Sequence, residues 1–503
     1  MNSYLLGVDI GTQGVKAALF DLEGNMMSSG FIPSRLHQPE PGVTEEDAEF
    51  QVDSVCRAIE TCVKESGIDS SGIKALAIDG QMAGVIGVGE DGMAVTPYDS
   101  WLDTRCAPYI LKMDEIAGER ILNKTGNPPS FNHGPKKLWW KNERPDTYKK
   151  IRKFVQPGGY AAMRLCGLSG DQAFIDNTYL HFSGFSDTEA GTWDGELIKA
   201  FNFDEEKLPR IVLPTEIIGN MTKEMAAKCG LSGPIPVAAG CGDTAASFLS
   251  CGAVKPGICV DVAGTASVFA STAEKFCADT ETRTLGCGAS ATPGLWHPYA
   301  YINGGGMNLE WFIKEILGRD QKDPDRFEGL FGDLQSLSKT DPLFIPHMTG
   351  RVSPSRPAMR GTFAGLERTH DKKTMFMSIL ESVALEYGIY RQSLLKMAPS
   401  LKLKEIRITG GGDASKVWKE MKSGVLQIPV TSITRNQGAP LGSAIIAGCA
   451  AGLFKNPAEG AEKWIKTGES ISCPVEYYPH FEKRTIKYEK LLNIMDEFYN
   501  PGE

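Results

Sequence analysis

The sequence predicts an α/β protein made of two related domains, and three observations support this prediction. The chain has 503 residues, a length typical of roughly two to four domains. Strand-like and helix-like stretches alternate along it without a low-complexity linker. Residues 8–12 read V-D-I-G-T, and residues 260–265 read V-D-V-A-G-T. Unless this echo is a coincidence, residues 1–250 and 251–503 form two domains that each present a glycine turn to one ligand.

The individual elements follow from local patterns. Residues 4–10 are an apolar stretch typical of a strand, and residues 15–21 are its predicted hairpin partner. Residues 50–66 have the periodicity of a helix. Further predictions are strands at 73–78, 236–239 and 406–408, a helix beginning near Ser415, and a helix within 438–454.

Composition excludes several classes of function. Lysine and arginine number 53 and aspartate and glutamate 62, a net charge of −9 without a basic run, so we expect no nucleic-acid partner. Asp9 is reached without a basic lead-in, so no signal peptide is expected. The uncharged run 438–454 is short and rich in small residues, which favours a buried helix over a membrane span. The 12 cysteines form no C-x-x-C pair, which indicates free thiols and a cytoplasmic protein.

The first of three glycine-rich segments follows the strand at 4–10. The segment contains Gly11, Thr12 and Gln13 and ends at Lys16. Its small residues allow backbone N–H groups and the Thr12 hydroxyl to point at a phosphate. Asp9, at the strand end, is a candidate ligand of Mg²⁺, directly or through water.

Two further segments repeat this chemistry. Gly264 and Thr265 form the second, and the third, after the strand at 406–408, has a flat backbone suited to adenine or ribose. Each turn alone is more often a simple hairpin or loop, but three in one chain favour a nucleotide site. None matches the P-loop or the dinucleotide fingerprint, which argues against both folds. The third segment contains Gly410, Gly411, Gly412 and Asp413.

Asp243 lies in G-C-G-D-T-A-A-S, at a predicted junction between strand and helix. The glycines before it and the small residues after it allow another molecule to approach closely. A carboxylate there could accept the proton of a hydroxyl during phosphoryl transfer. The alternative is an aspartate that caps the following helix, and the spacing alone does not separate the two.

Two segments, 79–84 and 100–105, combine hydrogen-bonding side chains with apolar surface, as a polyol site requires. Core packing is the alternative for their methionine and tryptophan, and it is the expected role of Trp139 and Trp140. The candidate substrate-binding residues are Gln81, Met82, Ala83, Trp101, Asp103, Arg105 and Asp243.

Together these segments resemble the FGGY family of carbohydrate kinases, within the sugar kinase/actin/Hsp70 superfamily. The resemblance covers roughly residues 4–455 and keeps the family's order of motifs. They are D-I-G-T-Q-G-V-K at 9–16, G-Q-M-A-G at 80–84, W-L-D-T-R at 101–105, K-K-L-W-W at 136–140, G-C-G-D-T-A-A-S at 240–247, A-G-T-A-S at 263–267, N-G-G-G-M-N-L-E-W-F at 303–312, R-G-T-F-A-G-L at 360–366, S-I-L-E-S-V-A at 378–384 and G-G-G-D-A-S-K-V-W at 410–418.

The resemblance implies two ribonuclease-H-like domains around a central cleft, with the sugar mainly on the N-terminal domain and ATP mainly on the C-terminal one. It implies that Asp243 is the catalytic base, and that Asp9 and Asp243 lie at the Mg²⁺ site. The cofactor-binding residues that it implies are Gly11, Thr12, Gln13, Lys16, Gly264, Thr265, Gly305, Gly410, Gly411, Gly412 and Asp413.

Within the family the chain is most similar to xylulokinases, but it has Ala83 where they typically place a histidine. We therefore expect an ATP- and Mg²⁺-dependent kinase of a small sugar, foremost a ketopentose such as D-xylulose. Alternative substrates are ribulose, a pentitol, a tetritol or glycerol. Other classes are an actin- or Hsp70-like ATPase acting on a protein partner, and a catalytically silent sugar sensor. The only partner expected is the small-molecule substrate, and a homodimer is compatible with the sequence.

Overall fold

Two seven-stranded mixed sheets dominate the computed structural model, which describes residues 3–434 and 437–500. In chain order the strands are β1 (Tyr4–Ile10), β2 (Gly14–Asp21), β3 (Met26–Pro33), β4 (Glu45–Glu46), β5 (Ile73–Gly80), β6 (Ile86–Val88), β7 (Tyr98–Asp99), β8 (Lys153–Val155), β9 (Phe174–Asp176), β10 (Ser186–Asp187), β11 (Thr192–Trp193), β12 (Arg210–Val212), β13 (Ile217–Asn220), β14 (Pro236–Ala238), β15 (Cys241–Gly242), β16 (Ile258–Ala263), β17 (Ser267–Ser271), β18 (Gly286–Ala289), β19 (Trp296–Ile302), β20 (Leu343–Ile345), β21 (Thr362–Ala364), β22 (Glu405–Thr409), β23 (Val430–Ile433) and β24 (Thr467–Ile471).

Helices accompany both sheets. In chain order they are α1 (Ala48–Ser66), α2 (Ala107–Thr125), α3 (His133–Glu143), α4 (Pro145–Lys150), α5 (Pro157–Cys166), α6 (Gly195–Ala200), α7 (Lys223–Lys228), α8 (Asp243–Ser250), α9 (Gly305–Trp311), α10 (Lys372–Met397), α11 (Lys416–Leu426), α12 (Ala439–Ala450), α13 (Pro457–Trp464) and α14 (Tyr478–Tyr499). The elements predicted from the sequence are all present, with ends that shift by one or a few residues.

The N-terminal sheet has the strand order β13-β14-β5-β1-β2-β3, and β15 pairs with β5 beside this path. Strands β1, β2 and β3 form an antiparallel meander. Strand β5 runs parallel to β1, β14 runs parallel to β5, and β13 closes the edge antiparallel to β14. The carboxyl ends of β1, β5 and β15 therefore meet at one edge of the sheet.

The C-terminal sheet has the order β18-β19-β17-β16-β22-β23-β24. Its strands β16, β17 and β19 form an antiparallel meander, β22 and β23 continue parallel to β16, and β24 is antiparallel to β23. Apart from β18, this path repeats the N-terminal sheet strand for strand. The echo at 8–12 and 260–265 begins equivalent hairpins, which confirms two related α/β domains. Their boundary at residues 250 and 251 stays a prediction.

The aspartates of the echo, Asp9 and Asp261, have different surroundings. Asp261 is fully buried, forms an ion pair with buried Lys422, and accepts a hydrogen bond from the Tyr387 hydroxyl at 2.6 Å. The Lys422 ammonium group also lies 4.0 Å from the centroid of the Trp418 ring. In the C-terminal domain this aspartate is therefore part of a buried polar network with Lys422 and Tyr387.

Helix α12 comes late in the sequence, yet it packs against the N-terminal sheet. A Cβ atom at Gly7 of β1 would lie 1.9 Å from the carbonyl oxygen of Pro440 in α12. A Cβ atom at Gly442 would lie 2.1 Å from the carbonyl oxygen of Ala246 in α8. Helix α12 thus contacts β1 and α8 at backbone distance, and the buried helix predicted within 438–454 is confirmed.

No helix among the described residues is long and apolar enough to cross a membrane. All 12 cysteines lie within the described ranges and are free, as the sequence predicts.

We predict that Gly442→Ala destabilises the protein, although alanine usually favours a helix over glycine. The added methyl group would force α12 away from α8, and overpacking of this kind costs roughly 1–3 kcal/mol of unfolding free energy. Denaturant unfolding measures the change. Gly195→Ala in α6 is the matched control, because a Cβ atom there meets nothing within 4 Å. Equal stability of the two variants would contradict the close contact.

Candidate active site

Three carboxyl groups meet where parallel strands of the N-terminal sheet end. Asp9 lies near the end of β1, and the parallel register places it opposite Asp79 of β5. Cys241 of β15 pairs with Asp79 on the other side of β5, and Asp243 begins α8 directly after β15. The sheet thus brings together residues from distant parts of the sequence.

The glycines before Asp243 make its position possible. Gly240 has a φ of +76°, and a Cβ atom there would lie 1.9 Å from the carbonyl oxygen of Ile78. A Cβ atom at Gly242 would lie 2.0 Å from the sulfur of Met82. Met82 therefore packs directly beside the residue that precedes Asp243.

Asp243 does not cap its helix. The N-cap residue of α8 is Gly242, and Asp243 is the first helical residue. Its carboxyl group accepts a hydrogen bond from the Thr244 hydroxyl at 3.1 Å. The alternative of an N-cap aspartate is therefore wrong.

Burial changes the proton affinity of all three carboxyl groups. Burial, and then the charge of Asp9, raise the pKa of Asp243 to about 7. Burial raises the pKa of Asp9 to about 6, against the lowering effects of a hydrogen bond with Asp79 and of the Lys16 charge. Burial and the charge of Asp9 raise the pKa of Asp79 well above its usual range. Burial and the charges of the neighbouring carboxylates therefore favour the protonated form of Asp79.

A hydroxyl group from the far end of the chain completes this cluster. Ser443 of α12 donates a hydrogen bond to Oδ2 of Asp79 at 2.6 Å, and both side chains are fully buried. No sequence signal indicates this contact, because its two residues are 364 positions apart.

Two more buried residues support the site without a sequence signal. The backbone N–H of Gly242 donates to the Thr178 hydroxyl at 2.9 Å. The Tyr179 hydroxyl donates to the carbonyl oxygen of Gly80 at 2.8 Å and lies 3.4 Å from that of Cys241. These bonds fix the ends of β5 and β15 relative to each other.

The structure joins the first glycine turn to both predicted substrate segments. The indole N–H of Trp101 donates to the Thr12 hydroxyl at 2.9 Å, and that hydroxyl lies 3.5 Å from Oε1 of Gln81. Within the described chain, Nε2 of buried Gln81 has no hydrogen-bond partner. Trp101 is 39% exposed. An unpaired buried donor beside an exposed aromatic ring is the arrangement that a polyol site needs.

Other predicted residues of the first turn differ in exposure. Gln13 is exposed, whereas Gly11 is half-buried and its N–H donates to the carbonyl oxygen of Gly14 at 3.1 Å. Lys16 is half-buried and pairs across β1 and β2 with Asp9. Its charge is thus placed to favour the ionised form of that carboxylate.

Asp103 and Arg105 form an ion pair with each other. Their side chains lie 2.9 Å apart, and Arg105 also contacts Asp99 at 2.7 Å. Asp103 accepts a further hydrogen bond from the Thr44 N–H at 2.9 Å. The guanidinium group lies 4.6 Å from the centroid of the buried Trp139 ring. These contacts shape the turn that carries Trp101, and direct binding of substrate by Asp103, Arg105 or half-buried Ala83 stays a prediction.

The second glycine turn joins β16 to β17 and supports helix α9. The N–H of Gly306 donates to the carbonyl oxygen of Gly264 at 2.9 Å, and the N–H of Met307 donates to that of Thr265 at 3.0 Å. A Cβ atom at Gly305 would lie 2.2 Å from the Ser267 hydroxyl. The predicted residues Gly264, Thr265 and Gly305 therefore lie at one junction, where the turn between β16 and β17 packs against α9.

The third turn lies against the second. A Cβ atom at Gly410, whose φ is +91°, would lie 2.6 Å from the carbonyl oxygen of Ala263. Gly412 is buried, whereas Gly411 is exposed, and a Cβ atom there would meet nothing within 4 Å. Asp413 accepts hydrogen bonds from Ser432 at 2.6 Å and from Lys419 at 3.1 Å. The ends of β16 and β22 thus present adjacent glycine turns.

The donor set suits a magnesium ion that is shared with phosphate. The described residues contain no group of three or more side chains with the geometry of a complete protein metal site. Mg²⁺ is commonly held by one or two carboxylates together with substrate phosphates and water. Asp9 and Asp243, whose charges interact, fit that type of site.

Comparison with known proteins agrees with the geometry. The family models of the N-terminal and C-terminal domains of the FGGY family of carbohydrate kinases match residues 4–250 and 259–451. Xylulose kinase of Lactococcus lactis is 24% identical over 99% of this chain and 96% of its own length. Gluconokinase of Bacillus subtilis is 26% identical over 89% of this chain and 87% of its own length.

A solved structure shows the same fold. The crystal structure of a xyloylose kinase from Brucella ovis superposes with a TM-score of 0.88, at 26% identity, over 98% of this chain and 100% of that one. Since the two family models together match more than half of the sequence, and the ribonuclease-H-like sheets occur twice, the chain belongs to the FGGY family of carbohydrate kinases.

Proposed function

We propose that this carbohydrate kinase transfers the γ-phosphoryl group of ATP to a hydroxyl group of a ketopentose, with D-xylulose as the first candidate. The observation that carries the proposal is Asp243, a carboxylate whose charge interacts with that of Asp9 at the ends of parallel strands. The names of the relatives from Lactococcus lactis and Brucella ovis support xylulose, and the Bacillus subtilis gluconokinase makes gluconate a second candidate.

Asp243 acts as the general base in this proposal. Its carboxylate accepts the proton of the attacking hydroxyl as the new bond between oxygen and γ-phosphorus forms and the bond to the leaving ADP oxygen breaks. A carboxylate with a pKa of about 7 binds that proton more strongly than an ordinary aspartate. Bound Mg²⁺ supplies positive charge to the phosphate oxygens, and Asp9 is the residue that would hold it.

The glycine turns provide the remaining contacts to the nucleotide. Backbone N–H groups at Gly11 and Gly264 and the hydroxyls of Thr12 and Thr265 would face the phosphates, and the third turn would hold the adenosine. Closure of the two domains would exclude water, which otherwise competes with the sugar for the phosphoryl group.

Gln81, Met82 and Trp101 form the proposed sugar side of the site. The free Nε2 of Gln81 donates to a sugar hydroxyl, and the exposed Trp101 ring covers a C–H face. Ala83 offers no hydrogen bond, so a substrate hydroxyl there must find water or another residue. The proposed enzyme is cytoplasmic, and the proposal is compatible with a homodimer but does not depend on one.

The first prediction concerns the substrate. We expect sugar-dependent ADP release with Mg-ATP to be fastest, in kcat/KM, for D-xylulose among ketopentoses, pentitols, tetritols, glycerol and gluconate. Asp243→Ala is the control for contaminating kinases. Another substrate with the highest kcat/KM would reassign the sugar, and ATP hydrolysis that ignores all of them would favour an ATPase that acts on a protein partner.

The second prediction concerns Asp243 itself. Asp243→Asn retains the shape of the side chain but removes the base, so we expect kcat to fall roughly 10²–10⁴-fold. Binding of ATP, measured by calorimetry, should change little. A variant that turns over at near the wild-type rate would refute the assignment.

The third prediction is a pH dependence of stability. The pKa of Asp243 is about 7 in the folded chain and near 3.8 when exposed, so the folded state binds the proton more tightly. The wild type therefore loses stability as pH rises from about 4 to 7, whereas Asp243→Asn does not. We expect the variant to gain on the order of 1–3 kcal/mol relative to wild type between pH 5 and 8.

Thermal unfolding without ligands, at both pH values, measures this difference. Asp53→Asn in α1 is the control, because its carboxylate is 61% exposed and pairs with Arg57 at the surface. A stability difference that is the same at pH 5 and pH 8 would contradict the raised pKa of Asp243.

A further inference from the structure

Asp79 is a buried carboxyl group that the proposed reaction does not use. It has no exposed surface, and its Oδ2 accepts the hydrogen bond from Ser443 at 2.6 Å. No donor of the described chain reaches Oδ1, and the parallel register of β1 and β5 places Asp79 next to Asp9. Burial of a carboxyl group costs free energy unless the group is well paired. We therefore ask what Asp79 contributes beside Asp9.

The C-terminal domain provides an internal comparison. There the counterpart of Asp9 is Asp261, whose neighbour in the parallel register is Ile408 and whose charge is neutralised by Lys422. In the N-terminal domain the same register position holds Asp79. The two domains thus treat equivalent aspartates differently: one is paired with a cation inside the core, and the other is held by a polar neighbour that brings no positive charge.

Helix α12 holds Ser443 in place. Its backbone touches β1 at Gly7 and α8 at Gly442, where no Cβ atom fits. Ser443 follows Gly442 directly in α12, the helix that packs against β1, β5 and α8. The position of its hydroxyl group is therefore determined by the same packing that sets the two reactive carboxylates.

We propose that Ser443 and Asp79 are positioning residues that orient the Asp9 carboxylate for the magnesium–nucleotide complex. Ser443 donates to Asp79, and Asp79 is the neighbour of Asp9 in the parallel register. The described chain shows no ion pair of Asp9 with a lysine or arginine. A helix encoded near the end of the sequence thereby sets the geometry of the first phosphate turn. The inference rests on the proposed phosphoryl transfer. It adds to that proposal two residues that do not touch the reactants.

The test is the affinity of the complete chain for Mn²⁺ in the presence of ADP, measured by electron paramagnetic resonance without turnover. We expect Ser443→Ala to weaken Mn²⁺ binding roughly tenfold, as is typical when a partner of a metal ligand is removed. The KM for the sugar should stay within about twofold, because the variant removes no contact to the sugar. Ser382→Ala is the matched control, because Ser382 is also fully buried in a helix and donates to a backbone carbonyl oxygen.

Variants at Asp79 test the order of the contacts. Asp79→Asn keeps both hydrogen-bonding positions, so we expect it to bind Mn²⁺ within about threefold of wild type, whereas Asp79→Ala should bind roughly tenfold more weakly. If Ser443 acts through Asp79, the double variant with Asp79→Ala and Ser443→Ala is no weaker than Asp79→Ala alone.

Three outcomes would overturn the inference. Ser443→Ala that binds Mn²⁺ like wild type and shows only a lower Tm would make the contact purely structural. Independent losses in the double variant would show that Ser443 does not act through Asp79. A wild-type chain that binds no Mn²⁺ with ADP would overturn the proposed function as well, which separates that failure from the first two.

Discussion

The parallel pairing of β1 with β5, and of β5 with β15, is the constraint on which the active site depends. Parallel strands end at the same edge, so Asp9, Asp79 and Asp243 converge there although β1 and α8 are far apart in the chain. Desolvation at that edge then raises the pKa of each carboxyl group. The fold thus creates both the proximity and the proton affinity on which the proposed role of Asp243 as a general base depends.

The two domains show how one architecture acquires different uses. Their sheets correspond strand for strand, and each begins with an aspartate before a glycine turn. In the C-terminal domain Lys422 neutralises Asp261 and the pair stabilises the core. In the N-terminal domain, as far as the structure describes the chain, Asp9 forms no such ion pair and remains available to a cation. Asp9 is half-buried and lies across from Lys16 of β2. In the proposed function its carboxylate is therefore free to bind Mg²⁺.

The close packing of α12 against β1 and α8 links the C-terminal half of the chain to the active site. Glycine at positions 7 and 442 allows α12 to lie against β1 and α8, so a helix that follows the last parallel strand of the C-terminal sheet becomes part of the N-terminal core. The turn that carries Trp101 is held in a similar way by Arg105, Asp103 and the tryptophan-bearing helix α3. Groups proposed to touch substrate are therefore positioned by residues that do not.

The sequence by itself determined the α/β class, the repeated hairpin, the three glycine turns and the junction at Asp243, because strand periodicity, glycine turns and motif order are local properties of the chain. It also placed the helix within 438–454 and the strand at 4–10 correctly. Only the tertiary structure decided that Gly242, not Asp243, caps α8, and that Arg105 and Asp103 pair with each other. The contact between Ser443 and Asp79 could not be predicted from the sequence either. Its residues are 364 positions apart, and a hydrogen bond over that separation depends on how α12 packs against the N-terminal sheet and leaves no local pattern in the sequence.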